Sequence, residues 1–338
     1  MTKIAIHNRP GSFSDRWIHK CEEERIRYKV VNCHDSDIVT SLEDSTILMW
    51  HFSHLAPVDL LMARSLIESL QHVGKKVFPD IKTCWHFDDK VAQKYLLESI
   101  AAPVVNSYVF YDMENCENWM SEAVFPLVFK LRRGAGSANV KLVRNKTEAM
   151  NFAHKMFTNG IRPTPNVVSS YTSVLNHATS KGLLLKKIRR IPSVVKSIWN
   201  ESKTWQNEKG YAYFQDYLPL NQFDTRVTVI GKRAFAFIRY VRPGDFRASG
   251  SGNIDYDVSK IDQRCVKLAF DVADKLGSQS VAFDFAFDHS KNPRILEISY
   301  CYKAEAVFKC CGHWDNNMNW RPGNVWPQDA ILDDCLVS

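Results

Sequence analysis

The stretch "FPLVFKLRRGAGSANVKLVRN", residues 125–145, places a short glycine-bearing loop between two apolar runs of strand character, with Lys130 inside the first run. Glycines beside a lysine suggest a phosphate. The loop is not a Walker A sequence: it lacks the Gly-Lys-Ser/Thr ending and leads into the strand-like "NVKLV" rather than into a helix. The same point excludes the Rossmann fingerprint. Glycines at the tip of a hairpin can fold backbone N–H groups over a phosphate like a flap, while Lys130 on the preceding strand reaches the same group. Taken alone, a plain hairpin turn accounts for the loop equally well.

Working outward, the chain has 338 residues, enough for two or three compact domains. Its 45% hydrophobic and 24% charged content is ordinary for a globular protein. No apolar run approaches the ~18 residues that cross a bilayer, and "MTKIAIHNRPGS" is too short and polar for a signal peptide. Nine cysteines without framework spacing read as reduced thiols, hence a cytoplasmic protein. A net charge of +7 points to an anionic partner. Part of the excess lies in Lys181–Lys196, six basic residues with no acidic one. That segment is either a solvated basic surface or a peripheral contact for an anionic membrane or polyanion. No RNA- or DNA-binding motif is visible, and the oligomeric state is not legible.

Residues 1–87 alternate strand-like runs ("KIAIHN", "YKVVNC", "STILMW", "KKVF") with the helix candidates "DRWIHKCEEER" and "APVDLLMARSLIESLQHVG". This predicts a small parallel-sheet domain. Ligands bind at the carboxyl ends of strands in such sheets, which sets "HNRPGSFSDR" and "WHFSH" beside a ligand. Residues 88–212 begin with an amphipathic helix, "DDKVAQKYLLESIA", and carry the glycine loop. Residues 213–338 turn to hairpins, "TRVTVIGKRAFAFIRY" and "SVAFDFAFDHSKNPRILEISYCY", around the helix "VKLAFDVADKLG" closed by Gly277.

Further motifs follow the glycine loop in order. "YFQDYLP" is a strand edge able to hydrogen-bond an adenine, and "DTRV" offers a carboxylate for a ribose and an arginine for phosphate. "IRYVRPGDFRASGSGN" carries Arg239 and Arg247, and Asp284 and Glu297 lie on two arms of a hairpin. One or two carboxylates with substrate phosphates suit Mg²⁺. This order resembles the ATP-grasp superfamily, most closely its RimK-like carboxylate–amine ligases, over about residues 80–305. The resemblance implies an α/β protein with the ATP-grasp fold, two α+β subdomains clasping ATP, preceded by a small parallel-sheet domain.

It implies ATP and Mg²⁺ as cofactors. Lys90 and Lys130 become the phosphate lysines, and Gly134, Gly136 and Ser137 the flap. Gln215, Asp216, Tyr217 and Leu218 become the adenine linker, and Asp224 the ribose carboxylate. Asp284, Glu297 and Ser299 form the metal motif, and Asn253 joins the substrate site. Ser299 departs from the family's Glu-x-Asn ending, and a neutral hydroxyl is a weaker ligand for a second Mg²⁺.

The chemistry implied is an acyl phosphate made from a carboxylate and ATP, then attacked by an amine, with Arg239 and Arg247 holding the carboxylate. For the acceptor, Arg9, Ser12, Ser14 and Arg16 lie on the first loop, although turn chemistry and helix capping also explain them. Trp314, Trp320 and Trp326 stand among polar residues able to stack on a sugar, although core packing explains them too. Cys310, Cys311 and His313 lack the second spaced pair of a zinc site. "NRPGSFSDRW", "MWHFSH" and the tail "GHWD…NW…WP" resemble ATP-grasp proteins of bacterial surface-polysaccharide synthesis. This implies an amino acid or other amine joined to a uronic-acid carboxylate. An ATP-grasp kinase acting on an acidic small molecule or sugar, or a non-catalytic ATP-binding partner, are the alternatives.

Overall fold

A computed structural model describes residues 3–54, 56–134, 139–163, 206–242 and 244–337. The alternating N-terminal pattern forms β1 (Ile4–His7), α1 (Phe13–Glu23), β2 (Tyr28–Val31), α2 (Ile38–Ser41), β3 (Ile47–Met49), α3 (Pro57–His72), β4 (Lys76–Phe78) and α4 (Ile81–Cys84). The strands make a parallel sheet in the order β2-β1-β3-β4. The chain leaves β1 toward β2 on one side and crosses to β3 on the other, so the order reverses between β1 and β3. Ser12 caps α1 by accepting a hydrogen bond from the Ser14 N–H.

The amphipathic stretch after residue 88 becomes α5 (Lys90–Ser99), capped by Asp89 accepting from the Ala92 N–H. Then come β5 (Ser107–Phe110), α6 (Met113–Met120), β6 (Leu127–Lys130), β7 (Val140–Val143) and α7 (Lys146–Phe157). The quoted stretch is therefore a β6–β7 hairpin, with Lys130 opposite Val140. β8 (Ala212–Asp216) inserts between β5 and β6, giving an antiparallel sheet β5-β8-β6-β7. β8, which spans the expected boundary at 212/213, pairs within the second sheet. The basic segment 181–196 lies outside the described residues.

The third sheet is built from β9 (Phe223–Ile230), β10 (Arg233–Tyr240), β11 (Ile254–Asp255), β12 (Ser280–Phe287), β13 (Pro293–Ser299), β14 (Gly312–Asp315) and β15 (Trp320–Pro322). Its order is β13-β12-β9-β10-β14-β15, with β11 on β10. Strand side chains alternate between faces. Val227, Val229, Ala236, Ile238, Val281, Phe283 and Ile298 take one face, where they pack with Cys265, Val266, Ala269, Val272 and Ala273 of α8 (Gln263–Leu276). Asp224, Arg226, Arg239, Asp284 and Glu297 take the opposite face, since register sets Arg226 against Asp284, Asp284 against Glu297 and Arg239 against Asp224.

After α9 (Ala304–Phe308), the tail is not a loop. β14 and β15 extend the third sheet, and α10 (Pro327–Val337) returns to the first domain. Arg16 donates to both oxygens of Asp329 at 2.8 and 2.7 Å, and the Trp17 indole N–H donates to the Gln328 carbonyl at 3.0 Å. Arg16 is thereby corrected from substrate ligand to a tie between α1 and α10.

The tryptophans are corrected as well. Trp314 is 3% exposed, on the α8 face of the sheet, with the Trp320 ring edge-on at 4.7 Å. A Cβ at Gly312 would lie 2.4 Å from the Trp320 ring, so only glycine admits this packing. Trp326 stacks on Phe308 at 4.0 Å. Trp314→Ala should cost about 3–5 kcal/mol, as other buried large-to-small changes do. Thermal unfolding should show the loss as a lowered Tm. An unshifted Tm would return Trp314 to the list of ligand-facing residues.

Candidate functional site

The charged face of the third sheet carries one connected ion network. Asp284 accepts from Arg226 Nε and Nη2 at 2.7 and 2.8 Å and from Arg239 Nη2 at 2.8 Å. Arg239 also donates to both oxygens of Asp224, at 2.7 and 2.5 Å. Asp224, Arg239 and Asp284 are each less than a tenth exposed. Burial alone would push the Asp284 carboxyl up, but Arg226 and Arg239 outweigh it and hold the group well below the usual carboxylate range. Glu297 is directly opposite Asp284, beside a bulge that breaks the register between Asp284 and Phe285. It is more open and stands 3.7 Å from the Lys90 Nζ.

Two lysines arrive from other elements. Lys90, the first residue of α5, is 5% exposed, and its ammonium donates to the Gly134 carbonyl at 2.8 Å. Lys130 ends β6 and is 7% exposed. Burial, helped by Lys90 and partly offset by Glu297 and Asp284, lowers its pKa to about 8. A cleft between the second and third sheets is lined by both lysines, Glu297 and Gln215, with Leu97, Val104, Val105, Ile295 and Leu296 forming an apolar slot. Gln93 fixes the slot's floor: its side chain accepts from the Ile298 N–H and donates to the His86 carbonyl.

The base of the glycine loop is anchored. The Asp88 carboxylate accepts from the Gly134 N–H at 2.8 Å, and Glu208 accepts from the N–H groups of Arg132 and Arg133 at 3.0 and 3.2 Å and from the Tyr211 hydroxyl. Gly134 has φ 118, a conformation that side chains rarely adopt. Gly136 and Ser137 lie outside the described residues. Neither Asp88 nor Glu208 is visible as a site residue in the sequence. Glu208 is 76 residues from Arg132, and no local pattern connects them.

Other expected roles are redistributed. Gln215 is buried in β8 and donates to the Ser107 hydroxyl, while Asp216 accepts from the Asn106 amide. Tyr217 sits edge-on to Phe246, and the Leu218 carbonyl accepts from Asn221. Asp224, the expected ribose ligand, accepts from Arg239 through both oxygens. Arg239 and Arg247, the expected carboxylate clamp, both pair with aspartates. Arg239 is held by Asp224 and Asp284, and Arg247 closes on Asp245 at 2.8–3.1 Å.

Ser299 donates its hydroxyl to the Cys301 carbonyl and accepts from the Cys301 N–H. Asn253 is exposed, its carbonyl accepting from the Tyr240 N–H. Ser14 is fully buried, bonded to the Asn8 side chain and the Arg9 backbone, and with Ser12 it shapes the first loop rather than facing a ligand.

Mg²⁺ fits this donor set on one condition. Among the described residues no group of three His, Cys, Asp or Glu is placed to hold a metal. Asp284 and Glu297 alone are adjacent on one face, and Asp284 already shares its oxygens with two arginines. Such a pair suits an ion that brings phosphate ligands with it.

No protein-family model matches the sequence, and no curated protein matches it. Solved structures do. The chain is similar to a RimK-domain ATP-grasp protein from Sphaerobacter thermophilus, at 12% identity and TM-score 0.58 over 100% of both chains. It is similar to D-alanine–D-alanine ligase from Bacillus anthracis complexed with ATP, at 12% identity and TM-score 0.58 over 100% of this chain and 97% of that one. It is also similar to a biotin carboxylase–ATP complex from Campylobacter jejuni, at 13% identity and TM-score 0.59 over 98% of this chain and 70% of that one. At these identities the likeness is one of architecture: a parallel-sheet domain followed by two antiparallel sheets that flank a cleft, which is the ATP-grasp fold.

Proposed function

We propose that this protein is an ADP-forming, Mg²⁺- and ATP-dependent carboxylate–amine ligase. The observation that carries the reading is the convergence of Lys90, Lys130 and the Asp284–Glu297 pair on one cleft with an apolar slot. The adenine lies along Gln215–Leu218, and the lysines take the phosphates. Asp284 and Glu297 would hold Mg²⁺, which would neutralise phosphate charge. A carboxylate oxygen of the acid bonds to the γ-phosphorus as the bond to the β-phosphate oxygen breaks, releasing ADP. An amine nitrogen then bonds to the acyl carbon, inorganic phosphate leaves, and the amine proton passes to phosphate or solvent. Positioning and charge neutralisation dominate such transfers.

The Lys90 ammonium supports this role. Its present partners, a neutral carbonyl and a carboxylate at 3.7 Å, are ones that a phosphate competes with directly. On the sequence resemblance, the acid is a uronic-acid carboxylate of a surface polysaccharide or its nucleotide-sugar precursor. The buried Trp314 lends that part of the reading nothing. Among the described residues no helix is long and apolar enough to cross a membrane. The direct experiment is ADP release over amines crossed with uronic acids. Amine-dependent release of ADP and phosphate supports the ligase. Phosphate retained on the acid points to a kinase, and nucleotide binding without turnover to a non-catalytic partner.

The lowered pKa of Lys130 gives a signed expectation. In the free protein Lys130 loses its proton through about pH 8, and a bound phosphate raises its pKa. Nucleotide affinity should therefore fall as pH rises through that range, with proton uptake on binding. Calorimetry in buffers of different ionisation enthalpy checks this. Lys130→Ala should weaken binding by about 1.5–3 kcal/mol and abolish the uptake. Wild-type affinity in that variant would reject the phosphate assignment.

Glu297→Gln keeps the shape and removes the charge, so ADP formation should be lost with the fold intact. Ser299→Ala should be milder, since that hydroxyl serves only the Cys301 turn. Equal damage from the two variants, measured as kcat, would place Ser299 at the metal.

A further inference from the structure

A second cavity lies on the face of the third sheet opposite the ion network. It encloses about 330 Å³, within the range of small-ligand pockets, between the linker from β8 to β9, the start of α8 and the turn that joins β12 to β13. Strand alternation puts Phe223 and Thr225 of β9 on this face, away from Asp224 and Arg226, and Phe287 ends β12 beside them. The linker wall is fixed in place. The Asn221 amide donates to the Phe287 carbonyl at 2.9 Å and accepts from the Phe287 N–H at 2.8 Å. The lining shares no residue with that of the nucleotide cleft.

The deep wall carries an unused polar atom. Thr225 is 1% exposed, lines the cavity, and its hydroxyl has no hydrogen-bond partner. Native proteins pair such groups, because a buried hydroxyl left alone costs its full desolvation penalty. The walls around it are apolar, from Leu218, Pro219, Phe223 and Phe287. Most charges at the rim are matched. Lys260 pairs with Asp255 at 2.7 Å, Arg264 with Asp262 at 2.7 Å, and Arg294 with Asp288 at 2.9 Å. Lys291 is the exception: it is exposed at the rim, and its ammonium has no partner among the described residues. The His289 ring, on the same turn, is likewise unpaired. The cavity thus joins an apolar middle to a polar point at its depth and an unmatched cation at its mouth.

We propose that this cavity is a second small-molecule site, for an aromatic acid that carries a hydroxyl at the end far from its carboxylate. The ring lies between the apolar walls, the ligand hydroxyl exchanges a hydrogen bond with Thr225 Oγ1, and the carboxylate meets Lys291 and His289 at the rim. A hydroxyl suits Thr225 because each group can donate or accept. The unmatched ammonium favours an anion and repels an amine. Leu218 lines this cavity and ends the segment assigned to adenine, so an occupant borders the nucleotide site from behind. Its binding does not rest on the ligase reading, since the two linings are separate.

The test titrates 4-hydroxyphenylacetate, phenylacetate and tyramine into nucleotide-free protein labelled with ¹³C-methyl threonine. The first carries both groups, the second lacks the hydroxyl, and the third has an amine in place of the carboxylate. 4-Hydroxyphenylacetate should shift the Thr225 methyl signal and bind about threefold to tenfold more tightly than phenylacetate, as one added hydrogen bond allows. Tyramine should bind more weakly than either acid. Thr225→Val keeps the shape and should bring the two acids to equal affinity. Lys291→Gln should weaken both acids and keep the preference between them, while Lys130→Ala, in the nucleotide cleft, should change neither. If Thr225→Val does not fold, the wild-type methyl signal and Lys291→Gln decide. Four results would each overturn the proposal: a preference that survives Thr225→Val, tyramine binding as tightly as the acids, a loss in Lys130→Ala equal to that in Lys291→Gln, or no Thr225 shift up to roughly 100 mM, which would fill even a ~10 mM site. Mg²⁺-nucleotide titration of the wild-type protein is read separately: its failure would remove the ligase reading and leave this site standing.

Discussion

The site depends on one buried network, Asp224–Arg239–Asp284–Arg226, strung across β10, β9 and β12. Removing a single member would strand a buried charge, a loss of about 3–5 kcal/mol in comparable pairs, although such networks contribute little net stability over apolar packing. Their contribution here is geometric. Bidentate Arg226, with one further contact from Arg239, holds the Asp284 carboxylate across from Glu297. The same contacts pair both arginines on this face with aspartates.

Charge balance shows what the cleft is shaped to receive. Lys90 and Lys130 line the cleft with Glu297, Lys94 is paired with Glu98, and Arg226 and Arg239 are paired with Asp224 and Asp284. Two lysines beside one carboxylate favour a polyphosphate over a lone divalent cation. Lys130 registers the strain of this arrangement, because burial makes its proton easy to lose until an anion arrives. The metal and the nucleotide are therefore expected to enter together.

Much of this was legible in the sequence, for definite reasons. Hairpins at Gly231 and at "DHSKN" follow from period-two alternation closed by turn residues, and they put Asp284 across from Glu297. Parallel order in the first domain follows from alternating strands and helices. What the sequence hid were choices of face and partner. "GHWDNNMNWRP" reads as a polar loop bearing tryptophans, yet it is a strand pair whose Trp314 faces α8. The informative signal was Gly312, which makes room for the Trp320 ring. Arg239 and Arg247 look alike in the sequence. Only pairing shows that one is locked across the sheet and the other within its own turn.

The returning C-terminal helix ties these parts together. Ile331, Leu332 and Cys335 of α10 share a core with Ile4, Ile6 and Trp17 of the first domain and with Phe235, Phe237 and Tyr300 of the third sheet. The parallel sheet is thus packed into the same body that carries the metal pair. Tyr300 sits at the joint, its ring against Phe52 and Phe87 and its hydroxyl on the Phe52 carbonyl. A displacement of the β13 hairpin on nucleotide binding would therefore be felt at the strand ends that carry His51 and His54. Close packing leaves little slack at this joint to absorb such a shift.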